Sequence, residues 1–258
     1  MKLKLLSVLS LLFLATNNLM ALETKLDNIF VIENGFDDND NIQFVIDGVL
    51  PNSCFELGET QVRANLEQKL LLVSQKINVR SIPDCTNPKT IPAYLNFPVK
   101  YNRPVSIGNL PAGQFIIQFT GMDGLPSSVI FNVSERASNA TDDYIYAPVS
   151  NLFISDIVSP TENGEVLLLG EMPNKCLNLK PENIQVIRQG NVIIILPILD
   201  VDKKEVDCKY NPISFQHFVK IGNLTEGRYL IHMRSLTGNS INKIFTVKKK
   251  ATDISSRL

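Results

Sequence analysis

Tryptophan is absent from this chain, histidine occurs twice and cysteine four times. So few imidazoles and thiols leave little material for a metal centre or a nucleophilic relay, and the missing indole weakens a sugar-stacking platform. No sign of charge dominates: 25 Lys+Arg stand against 26 Asp+Glu, a net charge of −1. The basic surplus of a general nucleic-acid binder is therefore lacking. There is no G-x-S-x-G, no glycine-rich phosphate loop and no C-x-x-C pair. Beyond the N-terminus, no apolar stretch has the length and purity of a membrane-spanning helix. These absences predict no enzyme, no cofactor, no metal, no nucleic acid and no integral membrane insertion. What remains, 258 residues with 44% hydrophobic and 20% charged side chains, is the composition of a folded globular protein of one large or two small domains.

The first residues read as an address. Lys2 and Lys4 precede an apolar run from Leu5 to Ala15, and Leu19 and Ala21 occupy the −3 and −1 positions of a cleavage site. This order of charged, apolar and small residues predicts a cleaved secretory signal peptide over residues 1–21. The expected location is periplasmic or secreted. Export favours disulfides over free thiols, so Cys54, Cys85, Cys176 and Cys208 are expected to pair. Spacing alone permits three connectivities.

An internal duplication selects one of them. Gly48-Val49-Leu50-Pro51-Asn52-Ser53-Cys54 and Gly170-Glu171-Met172-Pro173-Asn174-Lys175-Cys176 both read G-x-x-P-N-x-C. Each is followed by Asp-Cys, at Asp84-Cys85 and Asp207-Cys208. Val105-Ser106-Ile107-Gly108-Asn109-Leu110, continuing to Phe115, then matches Val219-Lys220-Ile221-Gly222-Asn223-Leu224, continuing to Tyr229. Both copies end in a short strand pattern, Val129–Val133 and Lys243–Val247. Equivalent repeats should carry equivalent bridges, which gives Cys54–Cys85 and Cys176–Cys208.

Within each copy, short β-branched and aromatic runs alternate with turn signals such as Asn163-Gly164 and Asp123-Gly124. No sustained helical stripe occurs. The expected fold is all-β: two tandem immunoglobulin-like antiparallel β-sandwich domains, repeat 1 over 22–134 and repeat 2 over 147–248. A polar linker over 135–146 joins them, and a flexible tail over 249–258 follows. The G-x-x-P-x-x-C opening, the later Cys and the V-x-I-G-N-L-x-x-G-x-[FY] pattern resemble small β-sandwich repeats of secreted bacterial proteins, mostly uncharacterised. That resemblance implies the fold and no catalytic residue or ligand.

Candidate sites are few. His232 aligns with Gln118 of the first copy and is expected to be an exposed strand residue. His217 has no acidic or thiol neighbour in sequence. Asp37-Asp38-Asn39-Asp40-Asn41 lacks the glycine and final glutamate of an EF-hand loop and reads as a solvated turn. The oddity is Val192-Ile193-Ile194-Ile195-Leu196, apolar on both faces, with Pro197 behind it suggesting a sheet edge or a bulge. Either the sister domain or a loop covers this run, or it is a partner-binding surface open to strand addition. Residues 22–135 carry 13 acidic and 8 basic side chains, and residues 136–258 carry 13 and 15. The asymmetry suits head-to-tail contacts or an anionic surface for the tail, but the favoured reading is a solvated tail bearing Lys248-Lys249-Lys250. The expected function is an exported non-enzymatic binding or structural protein. It would engage another protein of the envelope or exterior through exposed strand edges. The alternative is small-molecule or ion binding in an interdomain groove.

Overall fold

The structure is a computed structural model that describes residues 22–85, 91–140, 142–156, 163–201 and 208–248. The expected signal peptide and tail, together with Asp207, lie outside the described residues. In the first repeat the strands are β1 (Leu22–Thr24), β2 (Leu26–Val31), β3 (Phe36–Asp37), β4 (Ile42–Leu50), β5 (Phe55–Asn65) and β6 (Leu70–Val79). They continue as β7 (Val99–Gly108), β8 (Gly113–Thr120) and β9 (Pro126–Ser134). The second repeat comprises β10 (Val149–Phe153), β11 (Asn163–Met172), β12 (Leu177–Gln189) and β13 (Val192–Val201). It closes with β14 (Ile213–Asn223), β15 (Gly227–Arg234) and β16 (Ser240–Val247). The only helical elements among the described residues are 3-10 turns at Pro83–Cys85 and Leu236–Gly238.

The molecule is all-β, and the duplication extends to strand pairing. A three-stranded sheet β2-β4-β7 in the first repeat corresponds to β10-β11-β14 in the second. A mixed sheet containing β5-β6-β8-β9 corresponds to β12-β13-β15-β16. Registers match residue for residue: Phe44 faces Val105 as Val166 faces Val219, and Leu70 faces Ile116 as Val192 faces Leu230.

One expectation needs correction. The sheets are not wholly antiparallel, because β6 pairs parallel to β8 and β13 parallel to β15. After β6 the chain crosses to the opposite sheet as β7 and returns as β8, so two reversals restore the original direction. Parallel neighbours require such a crossover, and here the crossover is a strand of the facing sheet.

The shared motifs each have a local cause. Asn52 Oδ1 accepts the Cys54 amide at 3.0 Å and Asn174 Oδ1 accepts the Cys176 amide at 2.9 Å, turning the chain into β5 and β12. Gly108 and Gly222 both have φ of 76° and sit opposite register shifts in β4 and β11. That is a bulge which a side chain would strain. Disulfides Cys54–Cys85 and Cys176–Cys208 join the turn before β5 or β12 to the segment beyond β6 or β13. They tie loops at one end of each repeat rather than crossing between sheets. Both bridges fit an oxidising, extracytoplasmic compartment.

Each repeat has its own interior. Phe44, Ile46, Phe115, Ile117 and Phe131 fill the first, with Phe115 stacked on Phe131. Val166, Leu168, Tyr229, Ile231 and Phe245 fill the second, with Tyr229 stacked on Phe245.

Candidate functional site: the cleft between the repeats

The Val192–Leu196 run has two faces with different fates. Ile193 and Ile195 point into the second repeat's own core. Val192 and Ile194 are buried in the cluster that fills the first repeat, joined there by Leu230 and flanked by Leu196 and Ile244. Their strand is not an edge, since β13 lies between β12 and β15. The partner-binding assignment of Val192, Ile193, Ile194 and Ile195 is therefore corrected, because the first repeat covers Val192 and Ile194 and the second repeat's own core takes Ile193 and Ile195, while Leu196 stays half-buried. The covering surface is the outer face of β2-β4-β7. Phe30 and Val45 face each other there, opposite in direction to the inward Phe44 and Ile46, and both are buried.

Polar groups fix the docking. Arg228 donates to both carboxylate oxygens of Asp47, Nε at 2.6 Å and Nη2 at 2.5 Å. Arg234 forks onto Asp40 at 3.0 and 2.7 Å, approaches Asp142 Oδ1 at 3.6 Å and lies over the Phe36 ring. Asn34 and Gln189 exchange two hydrogen bonds, and Gln43 accepts from Ser240 and Asn242. The planar fork of arginine suits such paired recognition of carboxylates. Acidic residues of the first repeat thus meet basic residues of the second.

The same surface buries His232, contrary to its expected exposure. It does point outward from its own sheet, but only 2% of it reaches solvent because the first repeat lies over it. Asn242 Oδ1 sits 2.8 Å from Nδ1, and Nε2 has no hydrogen-bond partner. Burial, reinforced by the Arg234 charge, pushes its pKa down to about 4. His217 faces Leu168 across β14 and β11, with no acidic or thiol side chain opposite it in the register.

Beside this contact a cleft of about 210 Å³ opens, lined by both repeats and the segment joining them. Its walls are Ile32, Ile187 and Leu196; its rim carries Asp37, Asp143 and Tyr144, with Asp40, Asp142 and Arg234 at the base. The Asp37–Asn41 stretch is therefore not simply a solvated turn. Asp40 Oδ2 accepts the Asp37 amide at 2.8 Å and Asn39 Nδ2 donates to Ala140 O at 2.6 Å, so the turn holds down the connecting segment. Desolvation, then the neighbouring charges of Asp143, Asp40 and Asp38, raise the Asp37 pKa against the pull of Arg234. The cleft is thus crowded with negative charge that one arginine, already shared by Asp40 and Asp142, does not balance. No His, Cys, Asp or Glu group among the described residues is arranged to hold a metal ion.

Sequence reasoning missed Arg228, Arg234, Asp47, Asp142 and Asp143. Aligning the two copies contains a signal for three of them. Arg228 replaces Gln114, Arg234 replaces Thr120, and Asp47 replaces Leu169. A charge standing in one copy where the other is neutral, within a strand, marks a surface the copies do not share. No family model, curated protein or solved structure matches this chain.

Proposed function

We propose that this chain is an exported pair of immunoglobulin-like sandwiches acting as a non-enzymatic binding module in the periplasm or outside the cell. It would take a cationic side chain, lysyl or arginyl, of another envelope or extracellular protein into the cleft between its repeats. The single observation that carries this reading is the cleft's uncompensated acidic rim above an apolar wall. A volume of about 210 Å³ is below the roughly 300–1,000 Å³ of small-molecule sites and suits one long side chain. Ile32, Ile187 and Leu196 would contact the methylene stem, Asp37 and Asp143 the charge, and the exposed Tyr144 ring adds a cation–π surface. The paired cysteines and the resemblance to secreted repeats support export. The acids support electrostatic capture, which speeds encounter and selects partners by charge.

Titration calorimetry with a peptide whose only cationic side chains are lysines tests this. Binding is expected to weaken about tenfold in Asp37→Asn, and by a similar factor when the peptide lysines are acetylated, as expected when a close charge pair is lost. Equal affinity for the acetylated peptide, or no binding of the charged one, would rule the cleft out as a cation site.

A further inference from the structure

The contact between the two repeats uses one face of each. From the first repeat comes the outer face of β2-β4-β7, with Phe30, Val45 and Pro104 in register across it. From the second comes the outer face of the mixed sheet, with Val192, Ile194, Leu230 and Ile244. Because the chain is duplicated, each repeat owns both kinds of face. One of each kind is left uncovered, and they lie on different repeats.

On the second repeat, the positions equivalent to Phe30, Val45 and Pro104 are Phe153, Leu167 and Phe218, again aligned across three strands. Phe30 is 3% exposed, whereas Phe153 is 54% and Phe218 62% exposed. On the first repeat, the positions equivalent to Val192, Ile194, Leu230 and Ile244 are Leu70, Leu72, Ile116 and Ile130. Leu72, Ile116 and Ile130 are all exposed. A polar solvated face would be the ordinary outcome for both sheets. Instead, each carries the apolar pattern of the copy that is already buried.

We infer that these two faces bind each other between molecules. The β10-β11-β14 face of one copy docks on the β6-β8-β9 face of the next, repeating between chains the contact made within each chain. The occupant is a second copy of this protein. The complementary surface of known register is present on the same molecule, and a docked pair continues the intrachain contact. Such a contact is heterologous, so it leaves one free face at each end of a growing chain and builds open chains or rings rather than two-fold dimers.

The polar locks differ. Asp47–Arg228 becomes Leu169 opposite Gln114, and Arg234 is replaced by Thr120. The contact between molecules therefore lacks the paired charges of the one within, making it more apolar, less salt-sensitive and reversible.

Sedimentation velocity of the exported chain over a range of concentrations, with far-ultraviolet circular dichroism on every variant, tests the inference. The wild type is expected to show species growing past dimer as concentration rises, with little change between low and high salt. Ile116→Lys and Phe218→Lys each remove one face and should each remain monomeric at concentrations about tenfold above the wild-type transition. Mixed together they should form a one-to-one dimer, since each retains the face the other lost. Leu72→Lys and Phe153→Lys provide a second pair should either first variant lose its strand signal. A wild type that stays monomeric throughout, association that survives both substitutions, or a mixture that stays monomeric would overturn the inference.

Discussion

His232 is kept neutral by burial and by the Arg234 charge, with its Nδ1 side engaged by Asn242. A histidine whose folded pKa lies near 4, below an unfolded value of 6.5, favours the folded state above pH 6.5. That contribution is lost progressively as the pH falls from 6.5 toward 4, by on the order of 3 kcal/mol at the lower limit. Asp37 and Asp47, whose pKa values burial raises, act in the opposite sense as they take up protons. The comparison that isolates the histidine is therefore His232→Gln, the residue the first repeat carries at Gln118. Chemical denaturation of the variant should lose much of the wild-type drop in stability between pH 7 and pH 5. An unchanged drop would assign the acid sensitivity elsewhere.

At the scale of elements, the repeated G-x-x-P-N-x-C motif begins with a glycine for a packing reason. A Cβ on Gly48 would lie 2.6 Å from the Tyr101 hydroxyl oxygen, and one on Gly170 would lie 2.6 Å from the Phe215 ring. Each aromatic sits directly across the ladder, on β7 or β14, and covers the bare backbone of β4 or β11. Gly48→Ala should therefore cost about 1–3 kcal/mol through overpacking, measured as a lowered denaturation midpoint with an unchanged m-value. Gly170→Ala should cost at least as much, because the Pro148 carbonyl also crowds its added methyl. The strands and bridges were legible because the motif occurs twice, and a feature seen twice at one spacing exposes its local cause. The parallel pairing of β6 with β8 was not legible. Alternation gives a strand's faces, but the neighbour it takes depends on which sheet the intervening strand joins.

Across the whole molecule, consecutive residues of β13 hold different surfaces together. Ile193 lies in the second repeat's interior and Ile194 in the contact with the first. Ile194→Lys should strip that contact while leaving both interiors built, widening the scattering profile and lowering stability by about 3–5 kcal/mol, the cost of an unpaired buried charge. Ile193→Lys should unfold the second repeat outright. Equal loss of strand signal in both variants would show that the repeats do not fold apart from their contact. The cleft belongs to this scale too, since neither repeat contains it and the Asp37–Asn41 turn acquires its role only beside Arg234 and the connecting segment.

The sequence by itself determined the all-β class, the duplication, the disulfide pairing and the presence of one apolar face too many. Each of these follows from residue spacing and alternation, which are local properties of the chain. Only the tertiary structure decided which surface covers that extra face, that His232 is buried beneath it, and that acids from a turn and a connecting segment converge on one arginine. Those outcomes depend on the relative placement of segments up to about two hundred positions apart, and long-range shape and charge complementarity leave no periodic trace in sequence.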